Sequence, residues 1–409
     1  MAKVKKPAKT KANGKHTADK KPKGCYVLSL TVENIRCFGP ETTLDCSDGE
    51  GRPRQWTILL GDNGTGKTTL LQSICSHENY AANSDPIYGD PKILKRYSTF
   101  YRRTKAAHPA KCTMSISRGE SLTERNGKIQ ENVWNIYTGY TAGYSAQCHE
   151  LKFYGYGPNR LGATLQRLQT NTRMDDDATT TIMVASSQLP DPESWLLSLD
   201  YSRTKNNPHQ ERLFNKTIDL LLGVLPGVNG ITMNPGKGIC PEPFVEFNTI
   251  YGRVPIRQLG HGYQAMIAWI TDFVRRLVER YPGSEDPLYE PAVCLIDEID
   301  LHLHPVWQRK LISYLSERFP NTQFIVTAHS PLVVQAAANA DANIAVLVQS
   351  KEKDSDGNHY VEIRNNPEDV KNWRLDQIYT SDLFGGISLN PPEVEELLRR
   401  RNTSSISSE

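Results

Sequence analysis

The chain has 409 residues, 38% of them hydrophobic and 23% charged, with 48 lysines and arginines against 46 aspartates and glutamates for a formal charge of +2. That balance excludes a fibrous or wholly disordered chain, and the length allows two or three lobes around a full core. No apolar stretch approaches the roughly 18 residues of a membrane-spanning helix, and the first lysines have no apolar run behind them, so neither membrane insertion nor secretion is expected.

The charge is uneven along the chain. Nine lysines against Asp19 give residues 1–23 a charge of +8 and leave −6 on the remainder. This segment lacks apolar periodicity and is predicted to be a disordered tail, either a solubilising end or an arm for nucleic acid or an acidic partner. Eight cysteines are scattered without a C-x-x-C pair. A reducing cytoplasm is therefore expected, without structural zinc.

Order is predicted to begin near Tyr26, with strands over 26–32, 41–44 and 56–60. Residues 80–150 are rich in Tyr, Thr, Ser and Gly, and an antiparallel, strand-rich insertion is expected over about 80–155. Leu213, Phe214, Ile218, Leu221 and Leu222 then recur at helical spacing before Pro226 and Gly227. They place a helical lobe over about 160–280, and the prolines at 158, 190, 192, 208 and 226 exclude a long coiled coil. After Pro255 the chain alternates helix and strand: a helix with Met266, Ile270, Phe273 and Leu277 on one face, an apolar run 292–296, a helix near 307–319 and a strand 324–326. This is the rhythm of a parallel sheet covered by helices, an α/β fold. The divisions expected are a 1–23 tail, a head over 24–395 whose last part is 290–395, and a 396–409 tail.

The strongest chemical signal is Gly61-Asp62-Asn63-Gly64-Thr65-Gly66-Lys67-Thr68-Thr69, a G-x-x-x-x-G-K-[ST] phosphate loop between a strand and a helix. Its glycines let backbone N–H groups wrap a β-phosphate and the helix start adds its positive dipole end. Lys67 is placed to reach the β- and γ-phosphates and Thr68 to offer a hydroxyl to Mg²⁺. Downstream, a buried strand ends in Asp297 and Glu298, the first suited to the Mg²⁺ shell and the second to polarising an attacking water. His329 follows the next strand, where it could contact a γ-phosphate. Gly260, His261 and Gly262 open the helix that runs to Leu277, a second anion site.

Four other clusters read more plainly. His302 and His304 alternate as a metal pair would, and interface packing is the preferred reading. Asp354, Asp356 and Asn358 resemble a calcium loop, but Asp356-Gly357 between apolar runs is a hairpin turn. The acidic run 175–177 is expected to be a solvated loop, and Tyr97, Phe100, Tyr101, Arg102 and Arg103 fit a core edge or a nucleic-acid surface equally.

The order of phosphate loop, L-x-x-G at a helix start, apolar-Asp-Glu and strand-end histidine resembles ATP-binding cassette ATPases of the RecF, SMC and overcoming-lysogenization-defect branch. The opening Leu28-Ser29-Leu30-Thr31-Val32-Glu33-Asn34-Ile35-Arg36-Cys37-Phe38 is similar to that branch's first strands. The stretches Tyr156-Gly157-Pro158-Asn159-Arg160, Asp297-Glu298-Ile299-Asp300-Leu301-His302-Leu303-His304-Pro305 and His329-Ser330-Pro331-Leu332 look still more like compact bacterial AAA-type ATPases of Septu-type anti-phage defence. The resemblance covers residues 26 to about 395 and implies a head with a mixed, mostly parallel P-loop sheet, an antiparallel β lobe and a helical signature lobe.

It also implies a head-to-tail homodimer or a larger oligomer of such dimers. Each ATP would lie between one chain's Lys67, Thr68, Asp297, Glu298 and His329 and the other chain's Gly260, His261 and Gly262, with Asp300 opening a segment that crosses the interface. Gly260 stands where the family usually has a serine whose hydroxyl touches the γ-phosphate; one hydrogen bond of about 1 kcal/mol is absent, and slow turnover or a sensor-like cycle is the expectation that follows. The expected activity is Mg²⁺-dependent ATP hydrolysis controlling a partner, a nuclease effector in phage defence, in the cytoplasm and without a membrane role. No complete nuclease constellation is visible. A RecF-like clamp binding DNA through the lysine-rich tail is the alternative, and a nucleotide-gated scaffold with little hydrolysis a third reading.

Overall fold

The structure, a computed structural model, describes residues 24–81, 110–119, 128–137, 140–142, 152–162, 178–185, 187–203, 207–236, 242–386, 388 and 390–396. The segments 1–23, 97–103, 175–177 and 397–409, for which readings were given above, lie outside the described residues. The first half holds β1 (Gly24–Glu33), β2 (Thr42–Asp45), β3 (Trp56–Gly61), α1 (Lys67–Ala81), β4 (Ala110–Gly119), β5 (Lys128–Tyr137), β6 (Tyr140–Ala142), β7 (Phe153–Tyr156), α2 (Thr180–Met183) and α3 (Pro192–Arg203). The second holds α4 (Pro208–Val224), β8 (Val228–Asn234), β9 (Phe244–Thr249), β10 (Gly252–Pro255), α5 (His261–Arg280), β11 (Ala292–Ile296), α6 (Pro305–Arg318), β12 (Thr322–Thr327), α7 (Pro331–Asn339), β13 (Asn343–Lys353), β14 (His359–Asn365) and α8 (Leu375–Thr380).

A six-stranded sheet in the order β14-β13-β3-β12-β11-β7 is the platform for the site. Its pairs are parallel except for the β13–β14 hairpin. Every residue of β11 and β12 is buried, as a strand covered on both faces requires. The pleat divides the side chains between two cores. Ile58, Leu60, Cys294, Ile296, Phe324 and Val326 face a cluster with α4 to α7, while Leu59, Val293, Leu295, Ile325, Ala345 and Leu347 join α1 and the antiparallel sheet. The class is the mixed α/β one expected, with a mostly parallel centre.

The antiparallel sheet has the order β2-β1-β4-β5-β6. Gln323 of β12 clips it to the platform: the Val27 N–H donates to its Oε1 at 2.7 Å and its Nε2 donates to the Val27 carbonyl at 2.8 Å, both buried.

Two sequence readings differ from the fold. The 160–280 region, read as helical, also contains the antiparallel sheet β10-β9-β8, in which Val245 and Phe247 are buried on alternate positions. Strands this short, interrupted by Gly230 and paired across a chain reversal, leave little local period. Helix α5 buries far more than the predicted face, with Ile267, Ala268, Trp269 and Val274 as covered as Met266, Ile270, Phe273 and Leu277. It packs against both α3 and α4 as well as the sheet-side core. The 354–358 segment is a turn: the Asp354 carboxylate accepts from the Asp356 and Asn358 N–H groups, and Gly357 has φ +79°.

Candidate functional site

Strand β3 delivers the chain at Gly61 and α1 begins at Lys67, so the loop between them ends on the unsatisfied N–H groups of a helix start. Gly61 has φ +136°, and a Cβ there would meet the Leu347 carbonyl oxygen at 2.5 Å; Gly66 has φ +92°, and a Cβ would meet Cys37 Sγ at 2.4 Å. Only glycine fits these two positions. The Thr65 hydroxyl donates to the Asp62 carbonyl at 2.8 Å, and the Lys67 ammonium donates to the carbonyls of Gly61 at 2.7 Å and Asp62 at 2.9 Å. Burial lowers the Lys67 pKa, opposed by the carboxylates of Asp297, Glu298, Asp62 and Asp300.

Two strands away, the edge of β11 faces this loop. Asp297 Oδ2 accepts from the Thr68 hydroxyl at 2.6 Å and Oδ1 accepts from the Thr327 hydroxyl, also at 2.6 Å. The Glu298 N–H donates to Thr327 Oγ1 at 2.6 Å, so one threonine at the end of β12 holds both acids. Glu298 has φ +52°, a left-handed conformation costing on the order of 1 kcal/mol or more for a non-glycine residue. Arg160, 1% exposed, secures it: its guanidinium donates to the carbonyls of Asp297 at 2.6 Å and Glu298 at 2.8 Å. Burial pushes Arg160 down to about 10, with Asp297, Asp300 and Glu298 pulling it back, so it stays a cation at neutral pH. The Thr68 hydroxyl and Asp297 carboxylate, hard oxygens in contact beside a phosphate loop, fit a divalent cation such as Mg²⁺.

His329 is exposed just past β12, where its N–H donates to Asp300 Oδ2 at 2.9 Å. His304 is the N-cap of α6, its Nδ1 accepting from the Val306 N–H at 3.3 Å. Gly260 is the N-cap of α5 and brings no side chain to it, while a Cβ on Gly262 would lie 2.4 Å from the His302 carbonyl oxygen. The start of α5 therefore rests on the segment after Asp300. Among the described residues, no hydrogen bond joins Gly260, His261 or Gly262 to the phosphate loop. Farther along α5, Asp272 accepts from the Tyr156 hydroxyl at 3.1 Å and from Arg275 and Arg276, tying that helix to the end of β7.

A cavity of about 700 Å³ opens beside the loop, between its backbone, His329 just past β12, the middle of β13, the first residues of β14, and the segment through Tyr379 and Phe384. Sequence reasoning placed Lys67, Thr68, Asp297, Glu298 and His329 at one sheet edge, and the structure gathers them there. It did not find Thr327, whose signal is its place two residues before His329, nor the grip of Arg160, which was noted only within the 156–160 stretch.

Residues 29–131 match the family described as "AAA domain", and residues 241–335 the family described as "AAA domain, putative AbiEii toxin, Type IV TA system". The retron Ec83 probable ATPase of Escherichia coli is 39% identical over 384 aligned residues, covering 75% of this chain and 69% of that protein. The Septu protein PtuA of Bacillus mycoides (strain KBAB4) is 25% identical over 378 residues, covering 92% of this chain. The chain spans 47% of that relative's length. A solved SMC head bound to the C-winged helix domain of ScpA aligns over 83% of this chain and 97% of its own at 15% identity and a TM-score of 0.44, a likeness too distant to build on.

Proposed function

The chain belongs to the AAA-domain ATPase family of the retron Ec83 probable ATPase, and from that premise we propose that it binds and hydrolyses ATP to control a partner effector in bacterial anti-phage defence. The observation that carries the reading is the 2.6 Å contact of Thr68 with Asp297, which couples the phosphate loop to the acidic strand edge. In this role Lys67 leaves the carbonyls of Gly61 and Asp62 for the β- and γ-phosphates, and the loop N–H groups of residues 61–69 hold the β-phosphate. Thr68 and Asp297 would hold Mg²⁺, which supplies neutralising charge to the phosphate oxygens when bound. Glu298, held in a left-handed backbone conformation directly after Asp297, orients and polarises the attacking water. His329 contacts the terminal phosphate from the neighbouring strand end.

The uncapped start of α5 supports a head-to-tail dimer in which Gly260, His261 and Gly262 meet the terminal phosphate on the partner's phosphate loop. Two subunits then share two sites, and closure around ATP is the signal passed to a nuclease effector. Glu298→Gln is expected to retain ATP while losing hydrolysis by 10²-fold or more, measured by phosphate release beside equilibrium binding. Undiminished hydrolysis in Glu298→Gln would remove Glu298 from the mechanism. Tagged Glu298→Gln held in ATP is expected to bring down a nuclease subunit in fixed stoichiometry; recovery of nucleic acid without protein would replace the effector reading by a DNA clamp.

A further inference from the structure

His329 is exposed, and among the described residues no hydrogen bond reaches its ring, so the backbone that carries it must set its place. That backbone is held at two points. The His329 N–H donates to Asp300 Oδ2 at 2.9 Å, and the hydroxyl of the next residue, Ser330, donates to Gln308 Oε1 at 2.7 Å. The same hydroxyl oxygen accepts from the Leu332 N–H at 3.2 Å as the N-cap of α7, which leaves its proton for Gln308. Gln308 lies in the first turn of α6, and the nitrogen of its amide is engaged as well: Nε2 donates to the carbonyls of Leu303 at 3.0 Å and Asp300 at 3.3 Å. An amide suits both tasks, because it carries a donor for the carbonyls and an acceptor for the hydroxyl on one planar group.

The turn on which Gln308 braces is itself well supported. Glu298 and His302 have φ +52° and +62°, left-handed values that non-glycine residues keep only where the surroundings hold them. Arg160 grips the Glu298 carbonyl, and the N–H groups of Leu301 and Leu303 close onto the carbonyls of Glu298 at 3.0 Å and Asp300 at 3.2 Å. The His302 carbonyl lies against Gly262 at the start of α5. Residues 298–303 are therefore a fixed base, and the turn at His329 and Ser330 is the part that one side chain ties to it.

We propose that Gln308 is a positioning residue for ATP hydrolysis, holding His329 in register with the terminal phosphate by tying the Ser330 hydroxyl to the 300–303 turn. The inference rests on the nucleotide site proposed above and deepens it, since Gln308 touches neither the phosphate loop nor the acids among the described residues. ADP lacks the phosphate that His329 serves, so ADP binding stands outside this device.

The test measures single-turnover ATP hydrolysis and calorimetric ADP binding in wild type, Gln308→Met, Gln308→Glu and Lys67→Ala, and repeats Gln308→Met in a His329→Ala background. Methionine keeps the length of the side chain without its hydrogen bonds, and glutamate keeps the acceptor but sets an anion against two carbonyls. The expected result is about a tenfold fall in the hydrolysis rate in Gln308→Met and a larger fall in Gln308→Glu, with ADP affinity unchanged. In the His329→Ala background the methionine substitution should cost little more, because both changes remove the same contact. A rate unaltered in Gln308→Met, ADP affinity falling by the same factor as the rate, or the full loss persisting without His329 each overturns the assignment and leaves the phosphate loop standing. Lys67→Ala binding ADP and hydrolysing ATP as wild type does would instead overturn the nucleotide site, and this assignment with it.

Discussion

At the carboxyl edge of β3, β12 and β11, the groups Thr68, Asp297, Thr327 and Arg160 are hydrogen-bonded to one another within the chain, whereas the first turn of α5 presents Gly260 without a capping side chain. The first region is closed and stiff: three contacts of 2.6 Å run through Asp297 and Thr327, and a buried guanidinium locks the backbone beneath Glu298. The second is an anchored platform with an open end, since Gly262 is pressed against the His302 backbone while Gly260 is exposed. The difference teaches where each half finds its partner groups. One half is organised before any ligand arrives, and the other has donors whose acceptor must come from outside the helix.

Removing Arg160 should break the closed half most. Arg160→Met leaves the Asp297 and Glu298 carbonyls without their charged donor, and a loss of about 2–4 kcal/mol in urea unfolding is expected. Its kinetic signature is a fall in kcat with KM for ATP little changed, partly restored in Arg160→Lys; an equal loss in both parameters would reduce Arg160 to a structural residue.

Next in size is a pH effect seated in α1, the helix that carries the phosphate loop. His77 is 2% exposed, its Nδ1 donating to the Ser73 carbonyl at 2.9 Å, and burial lowers its pKa to about 4. The folded value lies below the unfolded value of about 6.5, so the unfolded chain takes up the proton first. Stability from this group is complete above pH 6.5 and is lost as pH falls toward 4, by about 3 kcal/mol. Denaturant titrations across that window should show a shallower loss in His77→Gln, and identical slopes would remove His77 as the cause.

The smallest effect sharpens the open half. Gly260→Ser supplies a hydroxyl at the N-cap of α5, and serine exceeds glycine there by only a few tenths of a kcal/mol of stability. On the dimeric reading the same hydroxyl adds one hydrogen bond to the terminal phosphate, and hydrolysis should rise about fivefold. Turnover unchanged in Gly260→Ser would separate the start of α5 from the reacting phosphate.

The two halves also differ in how plainly the sequence announces them. The phosphate loop is contiguous because one turn must do everything at once, so its glycines, Lys67 and Thr68 read directly. Asp297 and Glu298 read because a strand buried on both faces has to be an unbroken apolar run, and the acids mark its end. Arg160 is 137 residues from the Asp297 carbonyl it holds, and nothing near it in the chain points to that partner. The cavity wall is assembled from β13, β14 and the turn at Asp382–Phe384 against a loop near residue 61, and β8 to β10 are short strands that pair through reversals, with alternation confined to Val245 and Phe247. Pairings of that kind are decided by the tertiary fold, and a single sequence carries them only as separate fragments.

The clip of Gln323 onto Val27 spans 296 residues, and the Cys37 carbonyl accepts from the Val361 N–H across a similar distance. During synthesis, then, the phosphate loop emerges while the strands that flank β3 on both sides, β12 and β13, are still unmade. Long-range closure of this sort is slow, and the loop has no flanking strand beside it until β12 and β13, residues 322–353, have been made. On the proposed function, the nucleotide site is complete only once the strand that leads to Asp297 and the strands on each side of the loop have all been made.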